Sequence, residues 1–218
     1  TLGVTGAGVS ACVLSDSVES LAALQSSGDL PAVSVLPGQS GSGTSEGTAM
    51  LEIVYDLAPG ADLGFATATG GRAQFAQNIL DLRASGCDVI VDDIGYPASP
   101  VFQDGIIADA VDAVVADGAL YFSAAGNSGN LNDGTSGVWE GDFEALPAVP
   151  TALAGAGAVH DFGDGTGLNT ITDNASLITL QWADPQGGSD NDYDLYILNA
   201  TGDTILGAAT NIQDGDDD

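Results

Sequence analysis

Asp16, Asp92, Asp93 and Asn127 each close a short β-rich run. In parallel sheets, substrates and ligands are taken just outside the carboxyl ends of the strands, so these four side chains are the first candidates for chemistry. Glu46 joins them from a different setting. It follows Ser45, which reads as the N-cap of an amphipathic helix, and a carboxylate suits that helix's first turn. Carboxyl groups can carry protons, but a glutamate ionising near ~4.3 is a poor base at neutral pH, and a helix start depresses it further. It needs a like-charged neighbour to push it upward. Asp190, Asp192 and Asp194, with Asn191 among them and Gly187 and Gly188 before them, offer hard oxygen ligands suited to calcium. The same residues also read as an acidic β-turn.

The elements that would position these groups alternate in type. Residues 9–15, 61–67, 88–94 and 120–124 read as strands. Residues 45–57 read as a helix with Ala49, Met50, Ile53, Val54 and Leu57 on one face. Phe75, Ile79 and Leu82 mark a second helix closed by Gly86. The apolar pairs Ile106/Ile107, Ala110/Val111 and Val114/Val115 mark a third over 103–117, stopped by Gly118. Strand and helix in alternation, with apolar strands, predict a three-layer α/β domain, a parallel sheet with helices on both faces. After Gly129 the chain turns Gly-, Asn- and Asp-rich, 146–158 is linker-like, and 177–182 and 193–198 read as antiparallel strands. The expected organisation is an α/β domain over 1–142, a linker over 143–158, and a partial antiparallel β-sandwich over 159–218, with too few strands to stand alone.

Charge narrows the partners. Two basic residues face 31 acidic ones, a formal charge of −29, and 26 of the acids are Asp. Nucleic acid and anionic membrane surfaces, both bound through Lys and Arg, are excluded as partners, and the plain reading of the coat is solubility in salt-rich surroundings. Apolar types at 44% suffice for a core. No run approaches the ~18 apolar residues of a membrane span, and no signal peptide is expected within the chain. Cys12 and Cys87 read as two buried thiols, with a disulfide as the alternative. The single histidine, His160, reads as a surface residue at the linker's end.

Three segments then fit one pattern: Val13-Leu14-Ser15-Asp16-Ser17, the helix running from Glu46-Gly47-Thr48 to Ala58-Pro59-Gly60, and Ala124-Ala125-Gly126-Asn127. In order and spacing, residues 1 to about 129 resemble the subtilisin-like serine peptidases (subtilases). The resemblance implies a subtilisin-like fold, with Asp16 as the triad acid and Asn127 as the amide stabilising the oxyanion. It also implies that Asp93, Ile94, Gly95 and Tyr96 form the extended segment that pairs with a polypeptide substrate. The chain from 159 resembles a secreted-peptidase accessory sandwich of the pre-peptidase C-terminal type, best matched at 192–198.

Two departures shape the expectation. Where the family has its helix-opening histidine, this chain has Glu46, a feature similar to the sedolisins, acid-acting relatives that use carboxylates. Sedolisins carry an Asp four residues after that Glu and an Asp at the oxyanion turn, where this chain has Met50 and Asn127. The late Gly-Thr-Ser-x-Ala nucleophile motif is absent. Gly43-Thr44-Ser45 begins like it but leads into the Glu46 helix, so Ser45 is read as a cap. Asp16 near Glu46, with Asp93, would raise one carboxyl until a proton is shared. The expectation is a fragment of a secreted, extracellular serine endopeptidase with an acidic pH preference, inactive by itself and requiring no cofactor, with calcium an optional ligand. The alternatives are a dead site with Glu46 as a plain first-turn acid, and a non-catalytic extracellular module binding peptide or calcium.

Overall fold

The computed structural model describes residues 3–172 and 174–215. The chain divides into two compact units, 1–100 with 104–127, and 101–103 with 128–218.

The first unit runs β1 (Ser10–Ser15), α1 (Leu21–Ser27), β2 (Val33–Val35), α2 (Glu46–Leu57), β3 (Asp62–Thr67), α3 (Arg72–Ala84), β4 (Val89–Asp92), α4 (Ile106–Ala116) and β5 (Leu120–Ser123). All five strands are parallel, in the order β2-β3-β1-β4-β5. Because side chains alternate across a strand, β1 feeds two cores. Ala11 and Val13 pack with Leu51 of α2, Leu63 and Phe65 on one face. Cys12 and Leu14 pack with Phe75, Ile79 and Leu82 of α3 and Val114 of α4 on the other. This is an α/β unit with helices on both faces of the sheet.

Three details differ from the sequence pattern. The buried side of α2 is Gly47, Thr48 and Leu51, while Ile53 and Leu57 are exposed. The reason is close approach, since Gly47 lies so near the Phe65 ring that a side chain there would overlap it. Helix α4 starts at Ile106 rather than 103. The Gln103 amide is recruited by the second unit instead, donating to the Asp184 carbonyl (2.6 Å) and accepting from the Gln186 N–H (3.0 Å). The short elements α1 and β2 carry too little pattern to be seen in sequence.

Cys12 and Cys87 form a disulfide, with Cα atoms 5.9 Å apart, so the reading of two free thiols is corrected. β1 and β4 are neighbours, which brings the two residues into bridging range. Room for the sulfurs comes from Gly64, whose register partner is Cys12. A Cβ there would stand 2.5 Å from the Cys12 Sγ. Arg83 ties the ends of α3, α4 and β4, bonding the Asp117 carboxylate (2.8 Å) and the Cys87 carbonyl (2.9 Å). Among the described residues no helix is long and apolar enough to cross a membrane.

Among the described residues the second unit has one antiparallel strand pair, β6 (Leu195–Leu198) and β7 (Ile205–Ala209). The strand expected at 177–182 is absent. Trp182 there donates to Ser189 Oγ (2.9 Å) and packs on Tyr193 (centroids 5.2 Å apart), so this stretch is shaped by side-chain contacts rather than a ladder. His160 is not the surface residue expected. Its Nδ1 accepts from the Glu144 N–H (3.1 Å), its ring is boxed by Trp139, Phe143 and Phe162, and its buried Nε2 meets no conventional acceptor.

Candidate active site

The carboxyl ends of β1 and β4 and the first turn of α2 meet at one edge of the sheet. Asp16 follows β1, and its carboxylate is wrapped by the 41–47 loop. It accepts from the Thr44 N–H, the Thr44 hydroxyl (2.8 Å), the Ser17 N–H and the Gly47 N–H (3.4 Å). Gly41 and Gly43 lie so close to Asp16 that side chains there would collide with it. Burial pushes the Asp16 carboxyl up, but these donors outweigh it and hold its pKa below the ordinary aspartate value. Asp16 is thus a fixed negative charge.

The Gly47 N–H is a donor at the start of α2, so Asp16 helps to cap that helix from across the sheet. Ser45 occupies the N-cap position, as expected, but its side chain makes no capping bond. Its backbone is left-handed, φ 64°, unlike every other described non-glycine residue. Such a conformation costs on the order of 1–3 kcal/mol and persists where surroundings impose it. Here Ser17 Oγ accepts the Ser45 N–H (3.1 Å) and the Ser20 hydroxyl bonds Ser45 Oγ (3.0 Å). The turn so fixed directs Thr44 and Gly47 at Asp16.

Glu46, the next residue, is exposed, and its carboxyl hydrogen-bonds that of Asp93. The negative charge of Asp93 is the largest influence on Glu46. Partial burial, the charge of Asp16 and the bond to Asp93 follow, and all four push its pKa above the ordinary glutamate value. Asp93 is raised too. Burial dominates, opposed by the Ser15 hydroxyl (3.1 Å), its own N–H and Glu46, and reinforced by the charge of Asp16. Its Oδ1 is buried with no hydroxyl or N–H donor reaching it. The proton-sharing partner of Glu46 is therefore Asp93, while Asp16 acts on the pair through its charge.

No family model and no curated protein sequence matches this chain.

Of the segment 93–96, Gly95 is exposed with open space where a side chain would stand. Tyr96 is pinned, its ring on Phe75 (centroids 5.5 Å) and its hydroxyl donating to the Ala68 carbonyl. Asn127 is exposed on the loop after β5, at the same edge and two strand positions from β1, roughly 10 Å along the sheet. Asp190, Asp192 and Asp194 lie in the second unit. There Asp194 accepts from the Tyr196 hydroxyl (2.9 Å) and Asp192 from the Gln213 N–H (3.2 Å). Among the described residues no three His, Cys, Asp or Glu side chains converge as metal ligands.

Sequence reasoning did not single out Ser15, Ser17 or Thr44, the hydroxyls that hold Asp93, Ser45 and Asp16. The only signal for them was their nearness to Asp16 and to the helix start. Asp92 and Asp93 read as one strand-end pair, yet alternation sends them to opposite faces. Asp93 turns to Glu46, and Asp92 is buried against Ser123 (2.9 Å).

Proposed function

We propose that the first unit is part of an acid-acting, secreted, serine-type endopeptidase of subtilisin-like fold in which a carboxyl pair replaces the usual histidine. The observation carrying this reading is the Glu46–Asp93 hydrogen bond, which requires a proton between two carboxyl groups at the carboxyl edge of a parallel sheet. The disulfide suits an oxidising compartment.

In this mechanism the attacking serine comes from outside the 218 residues, on a Gly-Thr-Ser-x-Ala segment. Its hydroxyl adds to the peptide carbonyl as its proton passes to Glu46, the proton already held by the pair having moved onto Asp93, and Asp16 fixes the local charge. The Asn127 amide donates to the oxyanion. Glu46 then returns the proton to the leaving amine; water, deprotonated by the same carboxylate, adds to the acyl carbon, and the bond to the serine oxygen breaks as Glu46 gives that proton to it. The bound peptide lies along Asp93, Ile94, Gly95 and Tyr96.

The test is casein hydrolysis, from pH 2.5 to 8, by a polypeptide carrying these residues together with such a segment. Activity below neutral pH is expected. It should fall by about 10²–10⁴ in Glu46→Gln and about 10²–10³ in Asn127→Ala. Peptide binding without hydrolysis at any pH overturns the reading in favour of a non-catalytic binding module.

A further inference from the structure

The sheet face opposite Glu46 carries a second feature. A cavity of about 360 Å³ opens between the 93–100 loop and α4, wholly within the first unit. That volume lies within the range of ligand pockets, roughly 300–1,000 Å³. Phe75, Ile94, Ile107 and Val111 give it apolar walls, and Asp92 and Tyr121 line its buried end.

Asp92 is only 3% exposed. Its carboxyl accepts from the Ser123 hydroxyl (2.9 Å), with the Tyr121 hydroxyl and the Ile94 N–H beside it, all neutral groups. Buried carboxylates are ordinarily paired with a cation, and the salt bridges of the described residues involve Arg83 with Asp88 and Asp117 alone. Arg72 borders the cavity, but its guanidinium donates to the Ala98 carbonyl (2.6 Å). Ser99 Oγ, also lining the cavity, is buried without a partner. A cavity with apolar walls and a buried carboxyl that lacks a counter-ion, in a chain of charge −29, suits an organic cation with an alkyl stem. A bare metal ion would need several more oxygen ligands.

We propose that this cavity takes the lysine or arginine side chain of an extended peptide, its methylenes along the apolar walls and its charged end at Asp92. The proposal rests on the reading that a peptide lies along 93–96. The alternation of Asp92 and Asp93 then divides the work, one reading the side chain and the other serving the proton.

The test is calorimetric binding, near pH 7, of blocked alanine pentapeptides bearing lysine or norleucine at the centre, to the 218-residue chain. The lysine peptide should bind about tenfold tighter, the effect expected of one charge-assisted hydrogen bond. Asp92→Asn should reduce that preference to within about twofold, whereas Asp112→Asn, at the exposed rim, should leave it. Equal binding of the two peptides, or a lysine preference that survives Asp92→Asn, overturns the proposal. Should that variant not fold, the carboxyl carbon resonance of Asp92 in the unaltered chain decides. Saturating n-butylammonium should lower its titration midpoint by about one pH unit. An unmoved midpoint overturns the proposal at the cavity. A moved midpoint with neither peptide binding overturns it at the peptide reading instead.

Discussion

The Glu46 carboxyl hydrogen-bonds the Asp93 carboxyl, with Asp16 adding charge but no hydrogen bond to Glu46. Two carboxyl groups can bond only while one keeps its proton, so the pair titrates as a unit. The Glu46 resonance should report a midpoint above that of an ordinary glutamate. Asp93→Asn should lower it most, because Asp93 is the largest cause of the rise, and Asp16→Asn should lower it less. A Glu46 midpoint unchanged by Asp93→Asn would separate the two groups and remove the basis for a shared proton.

The same repulsion has a sign in stability. A carboxyl whose folded pKa is raised disfavours the fold once ionised, so stability is lost as pH rises through the folded value. Glu46→Gln removes that penalty and supplies an amide donor to Asp93. The variant should match the unaltered chain at low pH and exceed it at pH 7, by no more than about 1 kcal/mol because Glu46 is exposed. Urea unfolding at pH 4 and pH 7 measures the difference, and a less stable variant at pH 7 contradicts the assigned repulsion.

Asp16 runs the other way. Its folded pKa is lowered, so its contribution is present above the unfolded value and fades as pH falls through the folded one. Asp16→Ala removes the acceptor for Thr44, Ser17 and Gly47 and should cost about 1–2 kcal/mol at pH 7, the scale of a lost helix cap. The cost should shrink toward pH 2. A pH-independent cost would assign the loss to packing rather than charge.

How much of this was readable in the residues depends on how each element is stabilised. The helices α3 and α4 and strands β1, β3 and β4 announce themselves because their apolar spacing is what buries them, whereas β5 is legible from its composition although Leu120 and Phe122 stay exposed. α2 was legible as a helix but its face only in part, for Met50 and Val54 pack on the core while Ile53 and Leu57 are exposed. Its sheet contact is made through Gly47 and Thr48, residues whose smallness rather than hydrophobicity permits the approach. Asp16, Glu46 and Asp93 could be brought to one edge from strand order alone. Which carboxyl bonds which could not be read, because that depends on the left-handed turn at Ser45 occupying Asp16 with backbone N–H groups. In the second unit, 177–182 has a strand's composition, yet Trp182 and Tyr193 settle into an aromatic contact instead.

The disulfide and Gly64 should prove energetically coupled. Cys12–Cys87 closes a loop of 75 residues, and constraining the unfolded chain to that extent stabilises the fold by about 4 kcal/mol. The replacement Cys12→Ala/Cys87→Ala should lose most of that. Gly64→Ala places a methyl group 2.5 Å from the Cys12 Sγ and 3.6 Å from the Cys87 Sγ, inside the sheet where neither sulfur can retreat. Overpacking of this kind costs about 1–3 kcal/mol. With both sulfurs gone the methyl group has space, so Gly64→Ala in the double-alanine background should cost much less, and the two changes should be non-additive by 1 kcal/mol or more, as touching residues usually are. Denaturant unfolding of the four proteins closes the cycle. Strict additivity would mean that Gly64 is held for the strand's own geometry and not for the sulfurs beside it.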